Sequence, residues 1–315
     1  MQDTSYSTGT PLRLRAWLAL MLPPLLWAGN FIVGRAVRDD LTPMTLSVGR
    51  WTIALACLLP IAFPAMRRDW RRYWDQRWLV LGTSVMGVAA YNSLLYFGLR
   101  TTTASNALLL NSLAPLLIVL LGAAVYRQRL SVSQGVGLGL SFAGVVTLVL
   151  QGHWSQWQTV SFVPGDTIVL GAAACWAIYT LWLRQLPADL DRVGLMGVQV
   201  IVALTVLLPA MMLEYSLGAR STLGVTSYAA MAYVGVFASG LAYLLYMRAV
   251  QWFGPARAGL CVHLAPMFGV VLSALFLHEH LHAYHAMGIA AIAAGLVCSG
   301  MGGGRQETSS PARAD

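Results

Sequence analysis

The residues best placed to do chemistry by type and spacing are His278-Glu279-His280-Leu281-His282, an H-E-x-x-H run. On a helix, two histidines one turn apart can hold zinc while the glutamate between them activates water, as in metalloproteases. An intramembrane zinc metalloprotease is therefore a formal alternative, and three features oppose it. The run falls at a turn between two apolar blocks. It aligns with the plain Arg127-Gln128-Arg129-Leu130-Ser131 of an internal repeat, and no carboxylate follows it as a third ligand. His278, His282 and His285 remain a candidate surface patch for adventitious zinc; no resident metal and no cofactor is expected. The four cysteines (Cys57, Cys175, Cys261, Cys298) show no paired spacing and read as small buried residues. No Gly-rich loop ending in Lys-Ser/Thr is present, so no ATP hydrolysis is expected.

A second set of polar groups lies deep in apolar sequence, where a buried polar group needs a partner or a function. Pro115 and Pro266 sit mid-block at matched places, each freeing the carbonyl four residues back, those of Asn111 and Val262. Asn111 adds an amide, and His263 adds the one deep group that titrates near neutral pH. These two sites are either packing kinks or the wall of a polar cavity. Asn30, Tyr91, Asn92, Trp176, Tyr179 and Tyr243 are candidate substrate contacts with Asn111 and His263, and Trp27 is a weaker one. Such a lining suits a neutral or zwitterionic metabolite. Arg50 is the one basic residue well inside a block, where it costs about 2.5–3.5 kcal/mol on the insertion scale. It reads as an anchor for a substrate carboxylate, as a gate partner for Asp39, Asp40 or Asp166, or as an interfacial snorkel. With Pro115 and Pro266 it is assigned to gating. No Asp or Glu lies in mid-block, so a carboxylate proton relay has no candidate.

The elements that must position these groups follow from composition. The 315 residues are 57% hydrophobic and 10% charged, against roughly 25% charged in a soluble domain. Ten apolar blocks approach the ~20 residues that span hydrocarbon: 16–36, 44–64, 78–98, 104–125, 133–150, 165–184, 194–213, 226–250, 257–277 and 284–301. Without an alternating pattern these must be helices. The expected fold is an all-α integral membrane protein of ten transmembrane helices. Residues 107–146 align without a gap on 258–297, with thirteen identities that include Leu113-Ala114-Pro115 on Leu264-Ala265-Pro266. At a spacing shorter by two residues, Trp27-Ala28 falls on Trp176-Ala177, and Arg35 falls on Arg184. Five spans per copy is an odd number, so the copies should enter the membrane in opposite orientations. The expected layout is a tail over 1–15, a first five-helix repeat over 16–150, an external linker over 151–164, a second repeat over 165–301 and a polar tail over 302–315.

All 20 basic residues are arginine, and fifteen fall in loops and tails on one side, against four on the other. This positive-inside bias places both termini in the cytoplasm and explains the +8 net charge without nucleic acid. Arg67 to Arg77, with Trp70, Tyr73, Trp74 and Trp78, reads as a basic and aromatic anchor at the inner leaflet. The Gly-rich spans 5 and 10 (Gly135, Gly137, Gly139, Gly144; Gly288, Gly295) should pack through small faces.

Several local motifs then carry a resemblance. Leu26-Trp27-Ala28-Gly29-Asn30-Phe31, Gly165-Asp166 before Ala174-Cys175-Trp176-Ala177-Ile178-Tyr179, the two Leu-Ala-Pro triplets and the His278-Glu279-His280-Leu281 turn resemble the drug/metabolite transporter superfamily, in particular its EamA-type exporters. The likeness covers residues 16–301. Gln128 departs from it, standing where the family's first-copy turn usually has Glu. The resemblance implies an inverted-repeat, ten-helix, non-enzymatic carrier in the cell's inner membrane. It would export small metabolites, often amino acids, by alternating access. The expected partners are a small-molecule substrate and the lipid bilayer, the oligomeric state being open with a monomer favoured; an uptake carrier of the same fold is the alternative.

Overall fold

The computed structural model describes residues 10–126, 132–150, 154, 163–187, 189–253, 264–280 and 282–303. Among these the chain is all-helical. The long helices are α1 (Thr10–Ala36), α2 (Pro43–Arg68), α8 (Val132–Val149), α9 (Pro164–Leu183) and α10 (Arg192–Ser216), the shorter α3 (Trp70–Asp75) lying after α2. Two further helices each run through a π-helical segment: α4 (Arg77–Thr83) continues through Ser84–Ala90 into α5 (Tyr91–Gly98), and α11 (Val225–Ala232) through Tyr233–Leu241 into α12 (Ala242–Phe253). The remaining elements are α6 (Ala104–Asn111), α7 (Ala114–Tyr126), α13 (Ala265–Leu277) and α14 (Ala283–Gly303).

Among the described residues, seven helical stretches are long and apolar enough to cross a membrane: Trp17–Ala36, Pro43–Arg68, Arg77–Gly98, Ala104–Val125, Pro164–Leu183, Arg192–Ser216 and Val225–Ala249. The apolar runs Gly135–Gly144, Ala265–Leu277 and Ala283–Gly295 are shorter, and residues 257–263 of the ninth block lie outside the described residues. Large apolar side chains such as Ile61, Phe63, Met212 and Leu213 stand exposed on the outer helix faces. In water this surface would be a liability; in lipid it is the matching solvent. Cys57 shares that exposed face of α2, so it is not the buried residue its apolar setting suggested.

Local chemistry sets the helix ends. Thr42 caps α2, its Oγ1 accepting from the Thr45 N–H at 3.3 Å, with Pro43 at the first helical position where no N–H is required. Asp191 caps α10 by accepting from the N–H groups of Val193 (2.9 Å) and Gly194 (3.0 Å). The span from 104 to 125 is broken at Ser112-Leu113, one turn before Pro115. The Ser112 N–H still reaches Leu108 O at 3.1 Å, while Leu113 shifts to Leu110 O at 3.1 Å. A mid-block proline thus ends one helix and starts the next where a simple kink was expected.

The packing alternates between the two halves of the chain. Helix α2 lies against α10, α8 against α14, α1 against α12 and α13, and α9 against α5, α6 and α7. Small residues allow the closest approaches. A Cβ on Gly144 would meet the Gly288 carbonyl at 3.0 Å and Ile292 at 2.9 Å, across the α8–α14 contact. Gly135 and Gly139 face open space, so only part of the glycine-rich stripe makes that interface.

Candidate functional site

The helices line a cavity of ≈ 220 Å³ between the two halves. A water needs about 10–15 Å³ of such space, so the cavity has room for a small organic solute. Trp27 and Asn30 of α1 border it, as do Arg50 of α2, Tyr91 and Asn92 of α5, and Asn111 at the end of α6. Trp176 and Tyr179 of α9, Tyr243 of α12, Pro115 and Pro266 complete the contribution of the residues singled out from the sequence. His263 and Val262 lie outside the described residues. Trp51, Val88, Ser112, Met196 and Ser239 also line the cavity and were not among the candidates.

Aromatic rings make one wall. Trp176 stands between Tyr91 and Tyr179, with centroids 5.0 and 5.1 Å away, and Trp27 lies 5.5 Å from Tyr246. Gly87 lets this wall form: a Cβ there would come within 2.3 Å of the Tyr179 ring. The Tyr91 hydroxyl donates to Asn111 Oδ1 at 3.2 Å, tying α5 to the break in the next span.

The π segments supply the remaining polar surface. Their wider turn leaves carbonyls without the usual intrahelical donor, and side chains take them. Val88 O accepts from Trp51 Nε1 at 3.0 Å and from Asn92 Nδ2 at 3.2 Å. Ala238 O accepts from Trp27 Nε1 at 3.1 Å. Asn92 Oδ1 is buried with no hydrogen-bond partner among the described residues.

Arg50 neither snorkels outward nor pairs with Asp39, Asp40 or Asp166. Its Nη1 donates to Asn30 Oδ1 and to the Tyr96 hydroxyl, and its Nε donates to Ser239 Oγ. Helix α2 enters at Pro43, so Arg50 lies about 10 Å along it at 1.5 Å per residue. Its helix face is turned toward the π segment of Tyr233–Leu241. Two of the three supposed gate partners are engaged elsewhere: Asp39 with Arg38 at 3.3 Å and Asp166 with the Thr102 hydroxyl.

The H-E-x-x-H run does not form a metal helix. Helix α13 ends with His278 in the left-handed region at φ 52°, and residues 279 and 280 are not helical. Glu279 faces the start of α6, accepting from the N–H groups of Ala104 (2.9 Å) and Ser105 (3.2 Å) and from Ser105 Oγ (2.7 Å). An anion at a helix N-terminus is stabilised by the exposed N–H groups and the dipole. No group of metal-binding residues occurs among the described residues.

At the opposite end of the bundle, charges join the segment after α2 to the segment before α10. Arg72 meets Asp189 at 2.7 Å and Asp69 at 3.8 Å, while Arg68 meets Asp69 at 3.1 Å and Asp191 at 3.8 Å. The hydrogen bond from Arg68 holds the Asp69 carboxyl below the usual carboxylate range, and the bond from Arg72 does the same for Asp189.

Residues 14–150 and 163–301 each match the EamA-like transporter family. The chain belongs to that family. It is similar to the uncharacterized transporter YyaM of Bacillus subtilis, at 23% identity over 82% of this chain and 85% of that one. It is also similar to a Streptantibioticus cattleyicolor protein named "Probable terminal-alkyne amino-acid exporter", at 27% identity over 84% of this chain and 86% of that one. A solved crystal structure superposes with TM-score 0.61 over 95% of this chain and 100% of that one; at 20% identity this likeness concerns the fold alone. Family membership and seven apolar helices of spanning length make this EamA-like chain an integral membrane protein.

Proposed function

We propose that this EamA-like chain is a ten-span secondary carrier that exports small metabolites, amino acids or related compounds, through the central cavity by alternating access. In this reading the five-helix repeats, 16–150 and 165–301, enter the membrane in opposite orientations with both termini cytoplasmic. The tails and the 151–164 linker flank them, and the protein works as a monomer in the inner membrane.

The observation that carries the reading is where the cavity lies. It is bordered by matched elements of both halves: Trp27 with Trp176, Pro115 with Pro266, and residues of both π segments. The packing supports a two-fold relation, since contacts come in exchanged pairs. Helix α1 against α13 corresponds to α9 against α6 and α7, and α2 against the second π segment corresponds to α10 against the first. The π segments begin at Ser84 and Tyr233, at the spacing that separates Trp27 from Trp176. A site at the junction of two repeats can be exposed to either side by rocking one against the other. The Arg68/Arg72 strap with Asp189 and Asp191 would close the cytoplasmic end, and the Glu279 contact with α6 the external one. The relative named as an amino-acid exporter supports that substrate class.

Counterflow of labelled amino acids in proteoliposomes tests this. The wild type should exchange at least one of them, and Ser112→Trp, which fills the cavity from its wall, should abolish exchange while the protein remains monodisperse. Equal exchange by both proteins would rule out the cavity as the route.

A further inference from the structure

The cavity wall carries one cation, Arg50, and no anion among the described residues. Arg50 is only 6% exposed. Its three hydrogen-bond partners, Asn30 Oδ1 (2.9 Å), Tyr96 Oη (2.9 Å) and Ser239 Oγ (2.7 Å), are all neutral, and the guanidinium carbon stands 4.9 Å from the Trp51 ring centroid. Nη2 has no partner among the described residues. Of the residues outside those described, the acids are Asp3, Glu307 and Asp315, all in the two tails; 127–131, 151–153, 155–162 and 254–263 contain no Asp or Glu. The matched position in the other half is Gln199, buried away from the cavity with its amide donating to Thr83 Oγ1 at 2.8 Å. The positive charge therefore belongs to one side of the chamber only.

An arginine keeps its charge, and a charge held out of water needs an opposite charge as well as dipoles. Nε and Nη1 are spent on the wall, which leaves Nη2 to donate a charge-assisted hydrogen bond to one oxygen of a bound carboxylate. The Trp51 ring lies beside the guanidinium, and the cavity's apolar lining also includes the rings of Trp27, Tyr91 and Trp176. We infer that Arg50 anchors a substrate carboxylate, so that the transported class is small monocarboxylates and zwitterionic amino acids with an apolar or aromatic body. Amines and alcohols of the same shape would be excluded. This rests on the carrier reading above and narrows it.

The test uses the purified full-length chain and matched probes: 3-phenylpropionate, L-phenylalanine and L-leucine against phenethylamine, isopentylamine and 2-phenylethanol. Ligands that bind the folded state raise its melting temperature. The acids should do so and their partners should not. Arg50→Gln should weaken the acids by about tenfold or more, with Arg50→Lys intermediate. Because Arg50→Gln also strips three bonds from the wall, the acid–amine comparison on the unaltered chain decides by itself. Stabilisation by amines or alcohol equal to that by acids, no stabilisation by any acid, an equal effect of inorganic phosphate alone, or undiminished acid binding by Arg50→Gln would each overturn the anchor. Counterflow separates this from the carrier reading. Exchange of phenethylamine that Ser112→Trp abolishes would remove the anchor and leave the carrier; exchange indifferent to Ser112→Trp would remove the route itself.

Discussion

Arg50 Nη1 donates to Asn30 Oδ1 at 2.9 Å, joining the second helix to the first at the wall of the cavity. The acceptor is an amide where a carboxylate of nearly the same shape would fit. Asn30→Asp should therefore supply the missing counter-charge internally. Binding of 3-phenylpropionate should fall by about tenfold or more, while the melting temperature holds or rises, because a buried cation gains a partner. A melting curve on each variant with and without the acid gives both readings.

Gly87 and Tyr179 should behave as a coupled pair. A methyl at residue 87 would overlap the Tyr179 ring and drive it toward Trp176 and the cavity. Gly87→Ala should lower transport by roughly tenfold or more, since small misplacements at a binding wall are costly. The same substitution in a Tyr179→Ala background should cost much less, a non-additivity that a double-mutant cycle reads directly.

Much of this site was legible in the sequence. The matched Trp27 and Trp176, the matched prolines and the asparagines deep in apolar blocks mark side chains that share one cavity, because a buried amide or a proline in lipid must face protein or a polar space. The depth of Arg50 was equally visible, but its direction was not. Whether an arginine seven residues into a helix reaches outward or inward depends on which face packs against the neighbouring π segment, and that is a tertiary fact. The π segments themselves have no sequence signature as sharp as a proline, so Ser239 and the Val88 carbonyl went unnoticed. The H-E-x-x-H run, placed at a turn by the sequence, shows the same dependence on context. Its spacing carries chemistry only on a helix, and here the helix has already ended at His278.

Glu279 gives a prediction opposite in kind to a catalytic one. Its carboxylate is held by two backbone N–H groups and a hydroxyl at the start of α6. Glu279→Ala should destabilise the protein by about 1–2 kcal/mol, as loss of a helix cap does. Glu279→Gln should retain transport, mildly reduced at most. A peptidase assay on the wild type should show no cleavage; cleavage lost in Glu279→Gln would restore the metalloprotease reading.

The strap between Arg68, Arg72, Asp69 and Asp189 should show in the pH dependence of stability. Asp69 and Asp189 are held below the ordinary aspartate value by their hydrogen bonds from arginine. A depressed folded-state value means that the contribution is complete above about pH 3.9, the unfolded value, and is lost as pH falls through the lower folded one. The melting temperature of the wild type should therefore fall in that acid window more steeply than that of Asp69→Asn. Identical slopes would show that the strap contributes nothing there.

The most direct test of carriage through this cavity needs no substrate. A single cysteine at Asn111, in a chain whose four native cysteines are replaced by serine, can be challenged with a membrane-impermeant thiol reagent in right-side-out and in inside-out vesicles. Alternating access requires that residue 111 be labelled from both sides, at rates well below that of an exposed loop cysteine. Labelling from one side only, or from neither, would contradict it.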